Sequence, residues 1–292
     1  MKLRLGTRGS RLARIQAQSI QKIFEATGYE TEIKVITTKG DRVRNLPIDQ
    51  VGKNGVFVGE LERALVAKEV DVAIHSLKDM SSKIPEGFTL APPPKAPRVE
   101  DVYVSKRANI LRDDLNGHMV ATGSNRRKAQ LLHFFPRAKT VPVRGNIQTR
   151  IQKMEESEAD GTILAYAGLE RAALTDKISL VLDPREFIPS PCQGILGIEV
   201  SEARHDLIEV LEAAADPVTR FRMIIERKFQ ITLSASCQSP IGIYTEFTKD
   251  GVRLHGCYAK NVDSPLRFAR VDTTIETALK DVVILAKQVK YE

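Results

Sequence analysis

The sequence predicts an α/β protein of three domains: two α/β units and a small α+β C-terminal domain. Three observations carry that expectation. Short apolar runs such as Val72-Ala73-Ile74 and Val102-Tyr103-Val104 alternate with stretches of helical spacing, as buried strands alternate with helices. Ala91-Pro92-Pro93-Pro94-Lys95-Ala96-Pro97 breaks the pattern with three consecutive prolines, which fit neither a helix nor a sheet interior and mark a domain crossing. Asp216-Pro217 then opens a helix that leads into three strand-like runs and a last helix. A chain of 292 residues is also too long for one ordinary core.

Leu3 to Leu5 reads as a short strand. Gly6-Thr7-Arg8-Gly9-Ser10 follows as a turn, with Ser10 able to cap a helix carrying Leu12, Ile15, Ile20, Ile23 and Phe24. Arg8 and Ser10 then stand at a helix N-terminus, which suits an anion site and a plain capped turn equally. Glu30 to Thr37 is a second strand. Gly40 to Gly55 is polar, glycine-punctuated and long for a connection inside a compact domain, as functional or mobile loops are. Phe57 to Ala67 returns to helical spacing through Val58, Leu61, Leu65 and Val66. Asp71 to Ile74 reads as a buried strand, and His75, Ser76, Lys78 and Asp79 crowd polar groups at its end. Ligands of open α/β sheets sit outside the carboxyl ends of strands. Lys78 and Asp79 are therefore either a tuned acid–base group or an exposed pair on a capped turn.

Beyond the prolines, Val102–Val104 starts a second α/β unit. Met119–Thr122 is a strand, after which Gly123-Ser124 opens a helix bearing Arg126, Arg127 and Lys128. Thr140–Val143 is another strand, and Arg144-Gly145-Asn146 opens a helix with Arg150 on its first turns. Gly161–Ala165 and a helix over 166–174, with Arg171, repeat the theme. Each arginine group falls just after a strand and near a helix N-terminus. Guanidinium forks pair with carboxylates or phosphates there, which makes a polyanion cleft a better reading than a solvated surface.

Pro184 to Gly194 is irregular, Ile195–Val200 is strand-like and Arg204–Ala215 helical. This short βα piece returns to the first domain and makes a double crossing, hence a hinge. The helix from Pro217 carries Val218, Phe221, Ile224, Ile225 and Phe229 on its apolar face. Strands at 241–247, 252–260 and 266–273 and a helix from Thr274 to about Lys290 complete the chain. The boundaries are thus residues 1–94 with 195–215, residues 98–188 and residues 217–292.

Composition narrows the function. Hydrophobic residues at 42% and charged residues at 28% are those of a soluble globular protein, with no apolar run long enough for a bilayer. The opening MKLRLGTRGS lacks the apolar core of a secretory signal. Cys192, Cys237 and Cys257 lack metal-ligand spacing, which argues for a reducing compartment and against zinc. The net charge of +7 suits an anionic ligand or nucleic acid. Trp is absent and aromatic residues make up 5%, which weakens a stacking platform for single-stranded nucleic acid. Cys237 lies in a loop of small residues, Ser234 to Gly242, where a packed thiol and a reactive or modified one are equally compatible with the composition.

Taken together, these residues resemble the porphobilinogen deaminase (hydroxymethylbilane synthase) family. The resemblance runs over nearly the whole chain in matching order. It rests on Thr7-Arg8-Gly9-Ser10-Arg11-Leu12-Ala13 with Gln16, His75-Ser76-Leu77-Lys78-Asp79, the pair Arg126-Arg127 and Arg144-Gly145-Asn146 through Arg150. It continues through Ala165 to Arg171, Gln193 to Glu199 and Cys237-Gln238-Ser239-Pro240-Ile241-Gly242.

The resemblance implies two domains like those of periplasmic binding proteins around a cleft, and a third that carries the cysteine into it. It implies a dipyrromethane cofactor joined to Cys237 through a thioether, onto which four porphobilinogen units are added with loss of ammonia. A linear tetrapyrrole is then released by hydrolysis, a step of haem biosynthesis. Loss of ammonia gives an azafulvenium-type electrophile that the terminal pyrrole attacks. A carboxylate near the pyrrole nitrogens stabilises that charge and shuttles protons, and Asp79 matches it. Lys78, Ser10, Ser124, Arg126, Arg127, Arg144 and Gly145 match the cofactor-binding positions. Arg8, Arg144, Arg150, Arg171 and Gln193 match those for the substrate. Lys53, Asn54 and Phe57 fall in the family's flexible loop. No metal or nucleotide is required, and the expected partners are porphobilinogen and the growing oligopyrrole, with no nucleic acid or membrane. A cytoplasmic monomer is expected.

The chain departs from the family pattern at Gly52-Lys53-Asn54-Gly55, where the lysine is displaced by one position, and at Gly59, where lysine is frequent. Arg98-Val99-Glu100-Asp101 is altered, and Cys192 stands where glycine is usual. The alternative is a non-catalytic anion-binding protein of the same architecture, which needs the arginines but neither Asp79 nor a modified Cys237.

Overall fold

A computed structural model describes residues 2–37, 59–235 and 238–291. The elements run β1 (Leu3–Arg8), α1 (Arg11–Ala26), β2 (Thr31–Ile36), α2 (Gly59–Val66), β3 (Val72–Ser76), β4 (Phe88–Leu90) and β5 (Asp101–Ser105). Then come β6 (Met119–Ala121), α3 (Asn125–Phe134), β7 (Lys139–Val141), α4 (Ile147–Glu155), β8 (Gly161–Ala165), α5 (Tyr166–Arg171) and β9 (Leu180–Val181). The chain ends with β10 (Leu196–Ser201), α6 (His205–Ala213), α7 (Pro217–Thr232), β11 (Ile241–Thr248), β12 (Gly251–Tyr258), β13 (Arg267–Thr273) and α8 (Ala278–Tyr291). Among the described residues no helix is long and apolar enough to cross a membrane. Two compact units emerge, residues 1–97 with 194–221, and residues 98–193 with 222–292.

The first unit is built on a sheet of order β2-β1-β3-β10-β4. β1 is parallel to β2 and β3, whereas β10 runs antiparallel to β3 and β4. Strand alternation sends Leu3, Leu5, Val72, Ile74, Ile198 and Val200 to one face, where they pack with Ala17, Ile20 and Phe24 of α1 and Leu207 and Leu211 of α6. Full burial of a side chain such as Phe24 contributes about 2–3 kcal/mol. The other face carries Ala73, which packs against Leu61, Ala64 and Leu65 of α2. Ser10 caps α1 by accepting from the Ala13 amide at 3.2 Å. The helix turns Ala13, Gln16, Ala17, Ile20 and Phe24 inward, while Leu12 and Ile15 are only half-buried.

The second unit holds a sheet of order β7-β6-β8-β5-β9, with β6 parallel to β7 and β8 and β5 antiparallel to β8 and β9. Beside it in the same unit is the antiparallel sheet β11-β12-β13, covered by Val282, Leu285, Ala286 and Val289 of α8. The two layers are tied by backbone and side chain: Ile243 donates to the Pro189 carbonyl at 3.0 Å, and the Phe268 ring of β13 packs at a tilt against His133 and Phe134 of α3.

Helix α7 differs from its expected pattern. Val218 and Ile224 are exposed, at 49% and 44%. The buried side is polar, with Thr219, Arg222, Glu226, Arg227 and Gln230 withdrawn from water beside Met223, Ile225 and Phe229. Arg222 pairs with Glu226 one turn on at 3.0 Å, and Glu226 also accepts from the Cys192 amide at 2.6 Å. Apolar spacing misassigned this face because Arg222 and Glu226 neutralise each other where they are buried. Two short strands, β4 and β9, also lay outside the expected pattern; each gains its partner only from a distant strand, β10 and β5 respectively.

Candidate functional site

In the first unit the site residues gather at the carboxyl ends of β1 and β3, which are parallel neighbours. β3 extends through His75 and Ser76, so these two belong to the strand and not to the turn after it. Pairing with β10, in which Gly197 faces His75 and Leu196 faces Ser76, prolongs the strand. Leu77, Lys78 and Asp79 then form a single 3-10 turn. Its buried residues anchor it: the Leu77 amide donates to the Ile195 carbonyl at 3.0 Å, and Leu77 and Met80 are each 1% exposed. Lys78 and Asp79 are half-buried. Gln16 of α1 bonds the Ser76 hydroxyl at 3.1 Å, joining the α1 side of the site to the β3 side.

Arg8 ends β1, and Ser10 follows it as the cap of α1. Capping occupies the Ser10 oxygen as an acceptor and leaves its O–H able to donate. The first unit thus presents a carboxylate, a lysine, an arginine and a hydroxyl at one end of its sheet.

The second unit repeats that placement at the ends of β6, β7 and β8. Ser124 caps α3, accepting from the Arg127 amide at 3.4 Å. Arg126 and Arg127, on the first turn of α3, are buried and converge on Asp101 at the start of β5. Arg126 Nη2 lies 2.7 Å from one carboxylate oxygen and Arg127 Nη2 2.7 Å from the other. Arg126 also donates to the Ile188 carbonyl at 2.7 Å and Arg127 to the Ile163 carbonyl at 2.9 Å. Gln193, fully buried, completes the network by donating to Asp101 at 3.0 Å and to the Val99 carbonyl at 2.7 Å. Burial by itself would raise the Asp101 pKa, but the two guanidinium groups and the bonds from Arg127 and Gln193 hold it well below the usual carboxylate range. One carboxylate serves two guanidinium groups, so the cluster retains a net positive charge.

Arg144 follows β7, and Gly145 beside it has φ +125°, where a Cβ would lie 2.6 Å from the Thr149 side chain. Glycine is therefore required at this turn. Asn146 caps α4 through the Thr149 amide at 2.9 Å, and Arg150 Nε donates to the Gly145 carbonyl at 2.8 Å. Arg171 ends α5, the helix that follows β8. Burial presses its pKa down to about 10, so it stays a cation at neutral pH while already partly withdrawn from water.

Cys237, Lys53, Asn54, Phe57 and the stretch from Gly40 to Gly55 lie outside the described residues. Cys192 and Cys257 are buried free thiols. Burial raises both pKa values, that of Cys257 to about 12. Cys192 has φ +59°, a left-handed backbone that glycine adopts with less strain. Among the described residues no group of three His, Cys, Asp or Glu side chains is placed to hold a metal ion. Sequence reasoning missed Asp101, the centre of the arginine network, and Glu199, a fully buried carboxylate in β10. The available signal was an acid at the edge of Val102-Tyr103-Val104 and another inside Ile195-Leu196-Gly197-Ile198-Glu199-Val200, since runs of this kind bury whatever they contain.

Residues 3–209 match the family model described as porphobilinogen deaminase, dipyromethane cofactor binding domain. A porphobilinogen deaminase of Clostridium novyi is 36% identical over 286 residues, covering 96% of this chain and 95% of the relative. One from Clostridioides difficile is 36% identical over 297 residues, covering 100% and 98%. One from a Nitratiruptor species is 39% identical over 245 residues, covering 83% and 78%. Among solved structures, the VFT2 domain of Bordetella pertussis BvgS overlaps with a TM-score of 0.44 at 17% identity, covering 78% of this chain and 91% of that one. An ancestral cationic amino acid solute binding protein overlaps with a TM-score of 0.45 at 16% identity, covering 73% and 87%.

Proposed function

The chain belongs to the porphobilinogen deaminase family, and from that membership we propose that it is a hydroxymethylbilane synthase. It is a transferase of tetrapyrrole biosynthesis, joining four porphobilinogen units head to tail. Each addition forms one carbon–carbon bond and releases one ammonia. Hydrolysis frees the linear product. It works as a monomer in the cytoplasm, on porphobilinogen and the growing oligopyrrole. What carries the reading is the family match along the chain, together with the carboxylate of Asp79 next to Lys78 after β3, and Arg8 at the end of the neighbouring strand β1.

The donor set fits a dipyrromethane group. Its pyrroles carry acetate and propionate side chains, and the described strand ends offer cations and hydroxyl donors that would pair with such carboxylates. Cys237 would hold the group through a thioether. Ser10, Lys78, Ser124, Arg126, Arg127, Arg144 and Gly145 would receive its carboxylates. When bound, it supplies the pyrrole end from which the product grows.

The remaining chemistry falls to the protein. Arg8, Arg144, Arg150 and Arg171 bind the carboxylates of incoming units, whereas Gln193, fully buried with its amide committed to Asp101 and the Val99 carbonyl, acts on them only through the arginine cluster. Arg171 is suited to this because its partial burial has already removed part of the water a carboxylate would displace. Arg126 and Arg127 contribute the excess positive charge of their cluster with Asp101, and Gln193 keeps that cluster oriented. Asp79 stabilises the cationic charge that develops as the aminomethyl carbon loses ammonia, and it then accepts the proton lost from the coupled pyrrole. Its turn is fixed at Leu77 and Met80, so the carboxylate is oriented without a large loss of entropy on reaction.

Intact mass under denaturing conditions tests the reading, beside a Cys237→Ser variant and an assay of porphobilinogen consumption. The expected result is an excess of two linked pyrrole units that the variant lacks, with turnover in the wild type. Asp79→Asn keeps the added mass and lowers kcat by about 100-fold or more. An unmodified wild-type mass that stays inert with porphobilinogen would instead favour a non-catalytic anion-binding protein.

A further inference from the structure

Four buried side-chain atoms of the first unit have no hydrogen-bond partner among the described residues: Glu62 Oε1, His75 Nε2, and both Glu199 carboxylate oxygens. They belong to one side of one sheet. Glu199 of β10 registers opposite Ala73, and His75 of β3 opposite Gly197. Ala73 packs on α2, the helix that carries Glu62. His75 Nε2 lies 3.2 Å from Glu199 Oε2, off the line of a hydrogen bond, with side chains 4% and 0% exposed. A buried carboxylate left with both oxygens unsatisfied is costly, so the group is stable only when protons are shared across it. Burial raises the Glu62 pKa, the nearby Glu199 charge raises it further, and His75 opposes both. Protons shared among the two carboxyl groups and the ring give these unsatisfied atoms their partners.

Two contacts connect the cluster to the turn that bears Asp79. A Cβ on Gly197, opposite His75, would lie 2.6 Å from Met80 Sδ and 3.2 Å from Leu77 Cδ1, so these side chains sit directly on the strand position facing the imidazole. The Leu77 amide is held by Ile195, the residue before β10. Among the described residues, few other charged groups lie on this side. Arg4 of β1 is tied to Asp71, Glu60 and Arg63 of α2 pair with each other, and Lys34 of β2 pairs with Glu69. Arg8 of β1 and Lys78 and Asp79 of the turn complete the set.

We propose that Glu62, His75 and Glu199 form a proton-sharing cluster that positions the turn bearing Lys78 and Asp79 and so tunes the pH dependence of the reaction. The proposal rests on the reading of Asp79 as the acid–base group. All three are positioning residues.

The test uses the cofactor-loaded full chain as wild type, Glu62→Gln and Glu199→Gln. Nuclear magnetic resonance follows the His75 imidazole and the Lys78 and Asp79 amides against pH, beside the pH profile of kcat. In the wild type the two amides are expected to titrate together with the imidazole. In both variants the shared midpoint moves by about 0.5 pH unit or more, and the kcat profile moves with it while KM stays within about twofold. Amides that ignore the imidazole titration, or a midpoint and kcat profile unchanged in both variants, would overturn the proposal. A wild type that shows the shared titration yet never consumes porphobilinogen would overturn the acid–base reading and the tuning role with it, leaving the cluster as a purely structural unit.

Discussion

Asp101 Oδ1 lies 2.7 Å from Arg127 Nη2 in a fully buried ion pair, and Arg126 approaches the other oxygen of the same carboxylate. Removing the acid strands two buried guanidinium groups. Asp101→Ala is expected to destabilise the second unit by about 3–5 kcal/mol, read as a lower urea midpoint. Because the folded pKa of Asp101 is depressed, its contribution is complete above the ordinary carboxylate pKa of about 3.9 and is lost only as pH falls through the much lower folded value. The gap between wild type and variant therefore stays constant from neutral pH to mild acid. A gap that closes already near pH 6 would show that another group governs it.

Gly197 is where the turn bearing Lys78 and Asp79 meets its sheet. Gly197→Ala places a methyl group 2.6 Å from Met80 Sδ and 3.2 Å from Leu77 Cδ1, so the two buried side chains that anchor the turn must move to admit it. A displacement approaching 1 Å at a reacting group costs up to about 100-fold in rate. The expected outcome is a fall in kcat of about 10-fold or more, with added mass on Cys237 and KM little changed. Steady-state kinetics beside intact mass checks it.

Cys192 and Cys257 are buried, and the Cys257 pKa near 12 leaves almost no thiolate at pH 8. Of the three cysteines in the chain, a thioether would occupy Cys237. The folded loaded protein should therefore release almost no colour with a thiol-specific disulfide reagent. In denaturant two thiols should titrate, against three for a chain without its cofactor.

Arg171, proposed above to bind a substrate carboxylate, is already partly withdrawn from water. Arg171→Gln removes one charge-assisted bond, commonly about 1.5–3 kcal/mol. KM for porphobilinogen should rise by about 10- to 100-fold. An unchanged KM would remove Arg171 from the substrate site.

Much of this protein is determined by chemistry between near neighbours in the sequence. Strands and helices follow from apolar spacing, and the caps at Ser10, Ser124, Asn146 and Asp216 are single side chains reaching amides three residues on. The prolines at 92–94 break secondary structure without help from the rest of the chain. The order of the motifs identified the family. Tertiary structure decided the rest, because the free energy of a buried charge depends on what arrives beside it. Asp101 acquires its partners from 26 and 92 positions away, in Arg127 and Gln193. β10 draws His75 and Ser76 into strand β3 and brings Glu199 against the imidazole. The polar side of α7 is buried only because Arg222 and Glu226 neutralise each other there and the Cys192 amide comes to meet them. Periodicity registers whether a residue is apolar; it does not register a distant partner that makes a charge tolerable in the interior.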